Sequence, residues 1–247
     1  MNALQLPLSL SRAEPPGLEQ FLPRGSPLVA ALRAWLAAVG TQNGQCSSIL
    51  LSGAAGSGKT HLLLSLGSLA GQRGLDVVYL PLAQLGVHAE ALLGAQPAAA
   101  AILIDDLQEA ESRPGLQLAL FALHNRQRDS GGALLYAGRG DPHDWDRALP
   151  DLVSRLGQCT RFNLPLLNEV QRRQWFADRA EALGFALEAA ALDYLFRRVG
   201  RDMHSLSQLL QRLDHASLAQ QRRVTVPFLR QVLSHGDEAH EPILRES

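Results

Sequence analysis

Residues 45–60 read QCSSILLSGAAGSGKT, and this stretch decides the fold class. The apolar run Ile49-Leu50-Leu51 has strand character and leads into Gly53-Ala54-Ala55-Gly56-Ser57-Gly58-Lys59-Thr60, a complete GxxxxGK[ST] phosphate loop. HLLLSLGSLAGQ, residues 61–72, then supplies the helix that such a loop requires. Each residue type has a chemical reason. Glycines let backbone N–H groups turn inward around phosphate oxygens, the helix N-terminus adds its positive dipole, and Thr60 offers a hydroxyl to Mg²⁺. Lys59 reaches the outer phosphates as a compact point charge, which the broad planar fork of arginine does not reproduce.

Working outward, Lys59 is the single lysine among 23 basic residues, the other 22 being arginine. With 24 acidic residues the 247-residue chain carries a net charge of -1, which removes the electrostatic footprint of an autonomous duplex-binding protein. No apolar run approaches the roughly 18 residues of a membrane span, and the N-terminus lacks a signal-peptide layout. Neither a spanning nor an exported protein is expected. Cys46 and Cys159 have no CxxC or histidine spacing, which points to a reducing cytoplasm without structural zinc. Trp35, Trp145 and Trp175 read as packing residues, since no basic stripe accompanies them.

A phosphate loop needs a carboxylate site opposite it, and Ala-Ile-Leu-Ile-Asp-Asp at 101–106 provides one. A short apolar run ending in acids reads as a buried parallel strand with Asp105 and Asp106 at its C-terminal edge, where open α/β sheets bind ligands. Asp105 is expected to hold Mg²⁺, through water, and Asp106 to polarise an attacking water. The plainer alternative makes Asp106 an N-cap.

Further strands are expected at Val77–Leu80, Ala133–Tyr136 and Arg161–Leu164, alternating with helices near 28–39, 60–72, 115–129 and 149–156. Five interleaved strands specify an α/β fold, a parallel five-stranded sheet with helices on both faces. Beyond Pro165 only helices are expected, near 168–183, 188–199, 202–219 and 227–233. Asn168 with Gln171 forms a capping-box signature, and Gly184 and Gly200 suit helix ends. The expected organisation is a tail at 1–14, a nucleotide-binding domain at 15–163, a small helical lid at 164–235 and a second tail at 236–247.

Together the phosphate loop, the Leu103-Ile104-Asp105-Asp106 strand end and the helical appendage resemble the AAA+ ATPases, and in detail the DnaA-related family. Leu149-Pro150-Asp151-Leu152-Val153-Ser154-Arg155-Leu156 is similar to that family's box VII. The resemblance implies that Arg155 is an arginine finger, inserted into a neighbouring subunit's nucleotide site, where a guanidinium stabilises transition-state charge. It also implies a sensor II role for Arg201, in Gly200-Arg201-Asp202-Met203, contacting bound nucleotide. For sensor I, alignment leaves Arg139 and Asp141 open, a departure that weakens the case for efficient hydrolysis. Phe21-Leu22 is similar to the adenine-side segment.

The hexapeptide Gln5-Leu6-Pro7-Leu8-Ser9-Leu10 resembles the sliding-clamp-binding motif of Hda-type regulators in this family, with serine and proline in the opposite order. In an extended peptide Leu6, Leu8 and Leu10 project on one side, Gln5 can hydrogen-bond and Pro7 limits the entropy lost on docking. Only 14 residues follow Leu233, too few for a helix-turn-helix, so direct sequence-specific DNA binding is not expected.

The resemblance therefore implies a negative regulator of replication initiation, cytoplasmic and replisome-associated. It would carry ADP or ATP with Mg²⁺, ADP being favoured, bind the DNA-loaded clamp, and stimulate hydrolysis of DnaA-bound ATP through Arg155. A homo-oligomer stays open. The alternatives are a motor or loader driven by its own ATP cycle, and a nucleotide-gated recruitment factor.

Overall fold

A computed structural model describes residues 17–18, 21, 26–41, 48–185, 187–198, 202–217, 225–227 and 229–230. The Ser26 side chain accepts from the Leu28 N–H and Pro27 opens the first turn, so α1 spans Pro27–Ala38. The chain then alternates: β1 Ile49–Ser52, α2 Lys59–Gln72, β2 Val77–Pro81, α3 Leu82–Leu85, α4 Ala89–Ala95, β3 Ala101–Asp105, α5 Pro114–Asp129, β4 Ala133–Gly138, α6 Pro150–Gly157 and β5 Thr160–Asn163. The five strands form one parallel sheet in the order β2-β3-β4-β1-β5.

Alternation along the strands sorts side chains onto two faces. Ile49, Leu51, Ala101, Leu103, Ala133 and Leu135 join Leu32, Leu36, Leu62 and Leu66 of α1 and α2 in one core. Leu50, Ile102, Ile104, Leu134 and Tyr136 join Leu116, Leu120, Leu123, Leu152 and Leu156 of α5 and α6 in the other. β3 and β4 are buried throughout because strands flank both their edges and helices cover both their faces. Each leucine so enclosed contributes about 1.5–3 kcal/mol relative to exposure. A double-faced sheet of this kind holds its strand ends rigidly, and the phosphate loop leaves one of them, the C-terminal end of β1.

Two local differences from the expectations have simple causes. The last strand is Thr160–Asn163, one residue earlier than expected, with its register set by pairing Thr160 to Ile49 and Asn163 to Ser52. The stretch after β2 folds as α3 and α4, which bury Leu82, Ala89 and Leu93 in the core, while Gly86 at φ +52° separates them.

Residues Met1–Leu166 and Leu167–Ser247 form two compact units. The second contains α7 Glu169–Ala182, α8 Ala189–Arg198 and α9 Met203–Ser217. The expected capping box is present: the Asn168 side chain accepts from the Gln171 N–H, and the Gln171 side chain accepts from the Asn168 N–H, both at 2.9 Å. Gly184, at φ +84°, follows the end of α7. Phe176 meets Phe196 edge-on at 6.3 Å within a core that includes Leu195, Leu206, Leu210 and Leu213. Gly200, Arg201, the hexapeptide Gln5–Leu10, Leu22 and both expected tails lie outside the described residues, as do most of residues 227–233. Among the described residues, no helix is long and apolar enough to cross a membrane.

Candidate functional site

The phosphate loop connects β1 to α2, and its geometry depends on two glycines in the left-handed region, Gly56 at φ +78° and Gly58 at φ +95°. A Cβ at Gly58 would lie 2.9 Å from Cε2 of Phe21, whose ring stacks on His61 with centroids 6.3 Å apart. A Cβ at Gly53 would lie 2.6 Å from the Leu164 carbonyl oxygen and 2.7 Å from Ser57 Oγ. The loop is thus packed from below by β5's exit and covered at its helix end by Phe21.

Lys59, the first residue of α2, is only 8% exposed. Its ammonium donates to the Gly53 carbonyl at 2.7 Å and the Ala54 carbonyl at 2.9 Å, with Ser57 Oγ at 3.4 Å. Burial lowers its pKa from the usual lysine value; Asp105 opposes that shift, Arg139 adds to it and Asp106 opposes it more weakly. These four charges therefore share one locality. Thr60, the next residue, is exposed.

Asp105 ends β3 and is 1% exposed. Its Oδ2 accepts from the Tyr79 hydroxyl at 3.0 Å, and its Oδ1 accepts from the Asp106 N–H at 2.9 Å. Tyr79 comes from β2, which pairs with β3 so that Pro81 stands opposite Asp105. Burial, then the Asp105 charge, pushes the phenol of Tyr79 far above its usual range, so it remains a donor. Asp106 has φ 57° and is, among the described residues, the one non-glycine with positive φ. That conformation costs about 1–2 kcal/mol for an L-residue. A 3₁₀ turn at Leu107–Ala110 follows it, and Asp106 makes no side-chain cap there. Instead its Oδ1 accepts from Gln108 Nε2 at 3.2 Å, while Gln108 Oε1 accepts from the Arg139 N–H at 3.0 Å. One amide thereby bridges the exits of β3 and β4.

The two sensor I candidates differ in their bonding. Asp141 Oδ2 accepts from Arg161 Nη1 at 2.6 Å, and Oδ1 accepts from the His143 N–H at 3.0 Å. The Arg139 side chain is exposed, with no hydrogen bond or ion pair among the described residues. Its charge contributes to lowering the Lys59 pKa.

Arg155 lies on α6, whose Leu152 and Leu156 are fully buried. Arg155 itself is half-buried, and among the described residues its guanidinium takes no hydrogen bond or ion pair. Beside it, His124 of α5 is 5% exposed and shares a 2.9 Å hydrogen bond with the Tyr136 hydroxyl. Burial, then the charges of Arg155 and Arg128, hold the His124 pKa down at about 4.

The donor set suits a phosphate chain with a divalent cation: a glycine-lined backbone cradle, a desolvated ammonium, a hydroxyl at Thr60 and a carboxylate at Asp105. Tyr79 and Gln108 were not singled out from sequence. The one available signal was a hydroxyl-bearing aromatic near the end of a strand, and an amide two residues after the acidic pair.

Comparison with known proteins shows two likenesses. Residues 169–233 match the family model of the Hda lid domain. The chain also superposes on domain III of the Thermotoga maritima replication initiation protein DnaA with a TM-score of 0.68, at 21% identity, over 89% of this chain and 95% of that one. Residues 169–233 are thus similar to the Hda lid domain, and the chain shares the fold of DnaA domain III. Other solved structures share the fold at lower identity. AMPPCP-bound DnaA from Aquifex aeolicus gives a TM-score of 0.65 at 19% identity over 90% of this chain and 69% of that one. The Thermotoga maritima RuvB Holliday junction branch migration motor gives 0.57 at 16%, over 83% and 67%.

Proposed function

We propose that this AAA+ protein binds an adenine nucleotide at Gly53–Thr60 and regulates replication initiation by stimulating hydrolysis of ATP held by DnaA. The observation that carries the reading is Arg155: an arginine without a hydrogen-bonding or ionic partner among the described residues, in a Leu-Pro-Asp-Leu context, on a chain whose lid matches the Hda model. An uncommitted guanidinium on a helix anchored by Leu152 and Leu156 is suited to act on another molecule's phosphates.

In this reading the protein's own nucleotide, ADP in preference to ATP, is chiefly a fastener. The Gly53–Gly58 backbone and Lys59 hold its phosphates and Phe21 flanks the base side, while the sensor II role implied for Arg201 falls on a residue outside the described ones. Bound Mg²⁺ would neutralise phosphate charge, with Thr60 and Asp105 as its protein ligands, Asp105 acting through water. Tyr79 holds the Asp105 carboxylate in place by its 3.0 Å hydrogen bond. Asp106 is oriented by Gln108 and stands ready to accept a proton from water. Arg139 provides a second cation in the sensor I position, which favours retention of an anion over activation of water.

Gln5–Leu10 tethers the protein to the DNA polymerase sliding clamp, so a chain of net charge -1 reaches DNA through a partner. The experiment is ATP decay on DnaA in the presence of clamp loaded on DNA. Gln5→Ala with Leu8→Ala should abolish clamp capture and stimulation together; undiminished capture would overturn the tether.

A second reading, a motor using its own ATP cycle, is favoured by the complete loop and the Asp105–Asp106 pair. Substantial multiple-turnover hydrolysis by the isolated protein would support it.

A further inference from the structure

Gln117 is a polar side chain at 1% exposure in the middle of an apolar helix face, between Leu116 and Leu120. A buried amide costs free energy unless its donors and acceptor are matched. Here all are matched, and every partner is a backbone group outside the helix that carries Gln117. Nε2 donates toward the Ala110 carbonyl at 3.0 Å, the Glu111 carbonyl at 3.1 Å and the Arg147 carbonyl at 3.1 Å. Oε1 accepts from the Leu149 N–H at 2.5 Å.

These partners define two segments. Ala110 and Glu111 close the 3₁₀ turn that follows Asp105 and Asp106. Arg147 and Leu149 lead into α6, and Leu149 is its N-cap residue. Leu149 has no capping side chain; its carbonyl accepts from the Val153 N–H at 3.1 Å and so starts the helix. Gln117 therefore takes up the N–H of the α6 N-cap from another helix, as the N3 side chain of a capping box does locally. Arg155 lies six residues further on, roughly 9 Å along the axis at about 1.5 Å per residue. Leu152 and Leu156 fix the rotation of α6 about its axis by packing into the core; the clasp at Leu149 fixes its start.

We infer that Gln117 is a positioning residue that clasps the start of α6, and with it Arg155, to the turn leaving the acidic strand. The clasp rests on the reading of Arg155 as a finger acting in trans. Through it, the strand end expected to face this protein's own nucleotide and the arginine offered to a partner share one buried hydrogen-bonding group.

The test compares Gln117→Met, which keeps volume and burial but removes all four hydrogen bonds, with Gln117→Glu, which as the neutral acid that burial favours keeps the acceptor for the Leu149 N–H and one O–H donor toward the carbonyls. Three readouts are taken well below the melting temperature of each variant. Amide exchange in residues 147–157 should quicken by about tenfold in Gln117→Met, with the segment 53–66 unchanged. Nucleotide affinity should stay within about threefold of wild type, while the saturating rate of ATP decay on DnaA falls by about tenfold and the half-saturating concentration holds. Gln117→Glu should recover part of that rate. Unchanged exchange at 147–157, or a loss of nucleotide affinity parallel to the loss of rate, would overturn the inference. If Arg155→Ala is itself without effect on DnaA, the finger reading fails, and the exchange result still decides the clasp.

Discussion

Asp141 and Arg161 form a 2.6 Å ion pair between the loop after β4 and the edge strand β5. The Asp141 carboxylate is engaged by Arg161 and by the His143 N–H. Arg139 is left as the charged group that acts on Lys59 from that loop. Arg139→Ala should weaken nucleotide binding by about threefold to tenfold, as expected for loss of one partly exposed cation near phosphate. Asp141→Ala should leave affinity within about twofold. Titration of a fluorescent adenine nucleotide measures both, and the reverse order would return Asp141 to the sensor position.

The glycines of the loop give a second test. Gly58→Ala puts a Cβ 2.9 Å from the Phe21 ring at φ +95°, where an L-residue pays about 1–2 kcal/mol for backbone conformation alone. It should lower the melting temperature and nucleotide affinity together. Gly71→Ala, in α2 with nothing within 4 Å of the new Cβ, should instead stabilise by about 0.5–1 kcal/mol. Thermal unfolding with and without ADP compares them.

His124 predicts a pH dependence. Its folded pKa, about 4, lies below the ordinary 6.5, so the unfolded chain binds the proton first as pH falls. The neutral imidazole contributes stability that is present above pH 6.5 and lost as pH drops toward 4, at up to about 1.4 kcal/mol per pH unit. Burial leads the shift and Arg155 is the next cause, so Arg155→Ala should raise the His124 pKa while leaving it below 6.5. Arg155→Lys should not. An NMR titration of the imidazole Cε1–H resolves the difference, and no change in Arg155→Ala would show that Arg155 does not face this histidine.

How much of this was legible depended on distance along the chain. The loop at 53–60, the strand ending in Asp105 and the capping box of Asn168 and Gln171 are local patterns, and periodicity reads them directly. The contacts that tune the site are not local. Tyr79 reaches Asp105 across 26 residues, Gln108 reaches Arg139 across 31, and Gln117 reaches Leu149 across 32. The first two pairings exist because the sheet order brings β2, β3 and β4 side by side, and the third because α5 and α6 share one face of the sheet, neither of which hydropathy specifies. Sensor I shows the same limit. Arg139 and Asp141 stand two residues apart in one loop, and what distinguishes them is Arg161 on another strand. β5 was expected one residue late because its outward residues are mostly exposed, which leaves little apolar alternation to set the register.

Under the proposed function Arg155 completes a site in another molecule. The direct measurement is single-turnover decay of radiolabelled ATP on DnaA, with clamp loaded on DNA and this protein saturated with ADP. Wild type should accelerate the decay, and Arg155→Ala, equal to wild type in clamp capture and ADP affinity, should lose that acceleration by about 10³-fold or more. Decay at the wild-type rate with Arg155→Ala would contradict the account.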